Sequence, residues 1–154
     1  MTWVIITLIV LLVIESFISI KLIRREVQKV CIPFNADFST TNLITIQCTS
    51  SGINLCFIVD TGCTETQIKQ ETLNKLNYKK CRKKSIAQGV IGEPYTTILR
   101  SIDIVIDGHT YETFCYTSKE QFNFSDGIDG LLGSDFFDKY GWIIDYKHKC
   151  IVIK

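Results

Sequence analysis

The chain has almost no net charge: seventeen Lys and Arg stand against sixteen Asp and Glu over 154 residues. Setting aside Lys21, Arg24, Arg25 and Lys29 with Glu15 and Glu26 leaves thirteen basic and fourteen acidic residues from Cys31 onward. A domain that neutral lacks the basic field needed to hold nucleic acid, so no nucleic-acid partner is expected. Histidine is scarce as well. His109 and His148 lie far from any cysteine group with ligand spacing, so neither a metal nor another cofactor is expected. The seven cysteines (Cys31, Cys48, Cys56, Cys63, Cys81, Cys115, Cys150) contain no C-x-x-C pair and no regular spacing. An odd number would leave a thiol unpaired in an exported domain, whereas a reducing compartment accepts all seven as small apolar side chains. No internal repeat, low-complexity tract or interdomain linker is present.

The N-terminus departs from this even composition. Trp3 to Ile20 (WVIITLIVLLVIESFISI) carries one charge, Glu15, and is followed by Lys21, Arg24, Arg25 and Lys29. Eighteen residues is about the minimum for a membrane-spanning helix. A cleaved signal peptide would have a basic start and a small-x-small cleavage site, and neither is evident. A buried soluble helix is the remaining alternative. Residues 1–21 are therefore expected to be a single-pass anchor, with Glu15 near enough to the basic end to snorkel or pair laterally. Residues 22–37 are expected to be a basic juxtamembrane linker. The basic flank favours a cytoplasmic C-terminal domain.

Residues 38–154, about 120 in all, are enough for one domain with one modest core. Their pattern is mostly strand. Leu43 to Thr49 alternates, Ser50-Ser51-Gly52 breaks the run, and Asn54 to Val59 resumes it as an inner strand, which predicts a hairpin. Thr64 is placed to cap a polar helix reaching about Leu76. Ser85 to Ile98, with Gly89, Gly92 and Pro94, reads as a mobile hairpin or lid. Ser101 to Ile106 and Tyr111 to Thr117 flank Asp107-Gly108 as a second hairpin. Leu131-Leu132-Gly133 is a short buried segment, Ser134-Asp135 can cap a helix over Phe136 to Tyr140, and Trp142 to Asp145 pairs with Cys150 to Ile153. Lys79, Lys80, Arg82, Lys83 and Lys84 read as a solvated loop face, with attraction to a membrane surface the alternative.

Within this frame Ile58-Val59-Asp60-Thr61-Gly62 sets an acid at the rim of a buried strand, followed by a hydroxyl and a glycine. A second copy of the acid facing the first would make a general acid and base with split pKa values. The chain has one such motif, so the second copy would come from another molecule. An aspartyl phosphoenzyme would want further acids in a magnesium cluster beside Asp60, and only Thr61 and Gly62 come next. A redox role for Cys63 lacks a resolving cysteine two residues away. Asp129 and Asp135 could form a second acid pair, but loop solvation and helix capping account for them.

FIVDTGCTETQI, the glycine-bearing IAQGVIGEPY and the late segment GIDGLLGSDFFDKYGWIIDYKHKCIVI together resemble the retropepsin-like aspartic proteases, particularly their single-domain cellular and bacterial members. The D-T-G triplet alone is weak. Its combination with an apolar-apolar-Gly-x-Asp segment about 70 residues on, then a strand ending I-D-Y and a terminal hairpin, is specific, and it spans Asn42 to Lys154. The resemblance implies a mainly β fold: a closed-sheet half-domain with one or two short helices, here preceded by a single transmembrane helix. It places Asp60 on the catalytic aspartate and Thr61 on the residue that braces the two active-site loops across a homodimer. Gly62 falls on the glycine of the tight turn, and Cys63 where alanine is usual. Thr64 and Thr66 lie where small hydroxyl or acidic residues occur. Leu131, Leu132 and Gly133 match the segment crossing behind the loop, and Asp135 the acid that often follows. Gln88, Gly89, Val90, Ile91 and Gly92 loosely match the flap. The implied activity is hydrolysis of protein or peptide substrates by an Asp60 pair without metal. A catalytically silent dimeric peptide-binding module on the same fold is the alternative, and a merely structural strand-end turn at Asp60 is the blandest reading.

The basic flank generates a prediction of topology. With a tag at the C-terminus and protease added outside intact cells, the tag should survive; its digestion would overturn the cytoplasmic assignment.

Overall fold

The computed structural model describes residues 12–16, 30–34, 43–87, 93–117 and 127–153. Residues 12–16 are helical, and among the described residues no helix is long and apolar enough to cross a membrane. Most of the expected anchor, and Gln88 to Gly92, the residues expected to form a flap, lie outside the described residues.

Period-two burial builds the strands. In β2 (Thr45–Ser50), Ile46, Cys48 and Ser50 are buried while their neighbours face outward or lie at half depth. A two-residue turn leads into β3 (Ile53–Val59), with Ser51 and Gly52 both at positive φ, 52° and 77°, as short hairpin loops require. The same device at Asp107 and Gly108, φ 49° and 76°, joins β6 (Tyr95–Ile106) to β7 (His109–Tyr116). Both hairpins are those expected, although β6 begins six residues before Ser101.

The remaining elements are β4 (Thr66–Ile68), α1 (Gln70–Leu73), β5 (Lys79–Ala87), β8 (Gly130–Leu132), α2 (Ser134–Tyr140), β9 (Ile143–Asp145) and β10 (Cys150–Ile153), with β1 (Val30–Pro33) at the front. Strands run β2-β3-β8-β4-β7-β6-β5, and a β2–β6 pairing at Thr49 and Val105 closes six of them into a ring, leaving β5 outside on the edge of β6. A separate three-stranded sheet has the order β1-β10-β9. Phe57, Ile104, Leu132 and Ile151 are fully buried in the core. Phe136 and Tyr111 each meet Trp142 edge to face at 4.9 Å, an arrangement that adds to the energy of burial.

Four expectations are corrected. The helix expected from Thr64 is instead β4 followed by the single turn α1, whose N-cap is Lys69. Thr66 and Ile68 are buried between β7 and β8, and the ladder gained there outweighs a short helix. The Lys79 to Lys84 run is strand, not loop, with a bulge between Lys80 and Lys84; its lysines are exposed because it lies at the sheet edge. Val30–Pro33, inside the expected linker, pairs along β10. Cys31 and Cys150 form a disulfide across those strands, leaving Cys48, Cys56, Cys63, Cys81 and Cys115 free. A disulfide of this kind persists in oxidising compartments, so cysteine usage no longer favours the cytoplasmic side, and the tag-protection assay decides between it and the basic flank.

The tightest packing is at Gly130, where β8 passes between β3 and β4. A Cβ there would lie 2.1 Å from the Gln67 carbonyl oxygen and 2.9 Å from the Phe57 ring. Gly130→Ala should therefore lower the unfolding free energy by about 3 kcal/mol, read as a reduced urea midpoint. An unchanged midpoint would show that β8 is not pinned as described.

Candidate active site

Asp60 sits one residue past the end of β3, where the ladder has fixed the backbone and the side chain leaves the core. Val59 donates its N–H to Ile44 O at 2.8 Å, and Asp60 donates its own to Leu132 O at 3.0 Å. The chain then turns sharply: Cys63 N–H reaches Asp60 O at 3.1 Å, and Gly62 N–H reaches Asp60 Oδ1 at 2.9 Å. A Cβ at Gly62 would be 3.2 Å from that carboxylate oxygen, so glycine keeps the loop close to the acid. Asp60 is half-buried, whereas Thr61, Gly62 and Thr64 are exposed. This is a carboxylate held in place on one oxygen and presented at the surface.

The loop is secured from behind by the start of α2. Ser134 N–H donates to Cys63 O at 2.8 Å, Ser134 Oγ to the same carbonyl at 3.2 Å, and Asp135 N–H to Thr64 O at 3.2 Å. Thr66, fully buried, donates its hydroxyl to Asp135 Oδ1 at 3.2 Å and accepts Gly133 N–H at 3.1 Å. Gly133 has no room for a side chain: a Cβ would come 2.7 Å from the Glu65 carbonyl carbon. Leu132 thus accepts the Asp60 N–H, and Gly133, the next residue, donates to the buried Thr66 hydroxyl.

The Cys63 thiol is half-buried, donates to Glu65 O at 2.9 Å and accepts from Gln67 Nε2 at 3.4 Å. Burial raises its pKa above the ordinary thiol value and the Asp60 charge adds to the rise, so it stays protonated and is a poor nucleophile. Cys48 and Cys115 are pushed up to about 12 by burial. Among the described residues no three His, Cys, Asp or Glu side chains are grouped to hold a metal ion.

Four residues have roles that differ from, or were absent from, the sequence reading. Asp129 is not a solvated loop acid: its carboxylate accepts from Cys56 N–H and Thr72 Oγ1, both at 2.9 Å, fastening the start of β8 to β3 and α1. Ser134 and Asp135 do not cap α2 through their side chains, since the N-cap is Gly133; they hold the Asp60 loop instead. Glu65 accepts from Ser85 Oγ at 2.8 Å, tying the loop to β5. Nothing in local spacing could show these bonds, because each spans twenty or more residues.

Thr66 is the junction of this network. Thr66→Val keeps the shape and leaves Gly133 N–H and Asp135 without their partner, which should cost about 2 kcal/mol of stability in denaturant unfolding. A loss below a few tenths would mean that the hydroxyl does not hold the loop.

The comparisons with known proteins agree with this geometry. The chain superposes on a retropepsin-like aspartic protease from Rickettsia conorii with a TM-score of 0.53 and 17% identity, covering 81% of this chain and 88% of that one. It superposes on the retroviral protease-like domain of Ddi1 from Leishmania major with a TM-score of 0.51, also at 17% identity, covering 73% and 88%. No curated protein matches it in sequence. The family model described as aspartyl protease matches residues 46–136, from β2 into α2 and including Asp60, Leu132 and Gly133, and the chain belongs to that family.

Proposed function

We propose that the chain is an aspartic endopeptidase whose active site is assembled from two copies, each contributing Asp60, and which is tethered to a membrane through residues 3–20. The observation that carries this reading is the half-site itself: a carboxylate anchored through one oxygen by Gly62 N–H, flanked by exposed Thr61 and Gly62, at the rim of the closed sheet. The acids nearest in the same network, Glu65 and Asp135, are engaged by Ser85 and Thr66. This reading takes the second carboxylate of the dyad from a second Asp60.

Chemistry follows from putting two such carboxylates together. Like charges a few ångströms apart resist joint ionisation, so the pair shares one proton and titrates in two macroscopic steps. The ionised member accepts a proton from a water as that water attacks the peptide carbonyl. The protonated member donates to the carbonyl oxygen, and the roles reverse as the amine leaves. Thr61 would brace the paired loops and Gly62 would permit their approach. Gln88 to Gly92 would close over the peptide and exclude water. Cys63, protonated and turned toward Glu65 O, packs and takes no part. Tethering would raise the local concentration of half-sites and so favour pairing.

The test compares the wild-type full chain with Asp60→Asn on a peptide library over a range of pH. The wild type should cleave with a bell-shaped pH profile whose optimum is on the acidic side of neutrality, and Asp60→Asn should lose roughly a thousandfold or more in rate while keeping its fold. Excess Asp60→Asn chain added to wild type should depress cleavage as mixed pairs form. Equal cleavage by both chains would remove the reading, and peptide binding without cleavage by either would identify a silent binding module.

A further inference from the structure

The hairpin of β5 and β6 has two faces of opposite character. On one, Ser85 lies opposite Thr97 and Ala87 opposite Tyr95; Thr97 is buried, Ala87 and Leu99 pack with Tyr116, and Ser85 donates to Glu65 at 2.8 Å. That face is turned toward the segment that carries Asp60. On the other, Lys80 lies opposite Arg100, Lys84 opposite Ile98 and Ile86 opposite Thr96. There Ile86 is 75% exposed and Ile98 48%, with Lys80, Lys84 and Thr96 exposed around them.

A lone exposed isoleucine is ordinary on a protein surface, but these two are diagonal neighbours on adjacent strands and are flanked by cations. They form a patch, apolar in the middle and basic beside it.

No acid answers the lysines. Among the described residues the ion pairs are those of Lys139 with Glu112 and of His148 with Asp145, so Lys80 and Lys84 have no carboxylate partner there. The acids nearest along β6 are Glu93, beyond Pro94 where the pairing has ended, and Asp103, on the opposite face. Arg100 is committed: it donates to Ile98 O at 3.1 Å and Leu99 O at 3.3 Å and lies 5.8 Å over the Tyr78 ring. Lys79 and Lys83, both exposed, add to the positive charge of the strand.

We propose that this face docks on an anionic lipid bilayer, with Lys80 and Lys84 against the headgroups and Ile86 and Ile98 at the boundary of the acyl chains. Charge complementarity selects a negative partner, and the isoleucines distinguish a bilayer from a soluble anion, which has no apolar layer to receive them. The proposal rests on the tether proposed for residues 3–20 only for holding the face within reach of lipid. Docking in this orientation leaves the opposite face, and with it the Asp60 segment, on the side away from the bilayer, open to soluble substrate.

The test reconstitutes the full chain in nanodiscs of phosphatidylcholine, alone or mixed with phosphatidylserine, and follows lysine acetylation residue by residue by mass spectrometry. Lys80 and Lys84 should react about fivefold more slowly on the anionic discs, the factor for one cation at an anionic surface, and high salt should remove the difference. Lys147, exposed between β9 and β10, is the reference and should react equally on both. Ile86→Ser, at a position already open to water, should keep the fold and lose most of the protection at Lys84. Equal rates on the two kinds of disc, or protection that Ile86→Ser leaves unchanged, overturns the docking face. So does equal protection on neutral discs by inorganic phosphate or poly-glutamate, which would make the site one for soluble anions or acidic peptides. If the chain does not stay with phosphatidylcholine discs, the tether reading fails by itself. Salt-sensitive binding to phosphatidylserine vesicles that requires Ile86 then still supports the docking face, and its absence overturns it.

Discussion

The parallel pairing of β3 with β8 is the constraint on which the rest of the molecule depends. Phe57, Ile58 and Val59 lie beside Gly130, Leu131 and Leu132, so two segments about 70 residues apart must run in the same direction a strand's width from each other. The intervening chain, α1 and the strands β4 to β7, is in effect the connection that brings β8 back. Both ends of β8 are locked. Asp129 fixes its start through Cys56 and Thr72, and Thr66 and the loop carbonyls fix the residues just beyond it. Asp60 takes its position from this arrangement, because its own N–H is held by Leu132 O.

The polar groups behind the loop differ in kind from the core that surrounds them. Phe57, Phe136 and Leu132 fill space and would accept substitutes of similar volume at modest cost. Thr66, Asp135 and Ser134 satisfy backbone groups of a turn that has no ladder of its own, so each loss leaves an unpaired partner. The thiols are quiet by comparison. Burial keeps Cys48, Cys63 and Cys115 protonated, while Cys31 and Cys150 have already been consumed in joining β1 to β10.

Legibility in the sequence followed the range of the interaction. Alternation named β2, β3, β7 and most of β6, and the dipeptides Ser51-Gly52 and Asp107-Gly108 named their turns, because these signals are local. Asp60 stood out for the same reason: strand, acid, hydroxyl and glycine are consecutive. Thr64 to Ile68 was misread as helix because its strand exists only where β7 and β8 flank it, and no residue in the segment announces them. Lys79 to Lys84 looked like loop since an edge strand needs no apolar face of its own to be held by its neighbour. Asp129 and Glu65 are ordinary surface acids until the fold delivers Cys56, Thr72 and Ser85 to them.

The position of β5 outside the six-strand ring has a consequence for how copies of this chain meet. One side of β5 is paired to β6 and, among the described residues, the other has no partner strand; such an edge presents backbone groups that another strand could join, the ordinary route to uncontrolled stacking. Lys79, Lys80, Lys83 and Lys84 are exposed along it, and the irregularity between Lys80 and Lys84 breaks its register. Two such edges brought together would confront like charge with like charge and bend with bend. For a chain whose proposed active site takes one half from each of two copies, the easiest wrong way of pairing is thereby disfavoured.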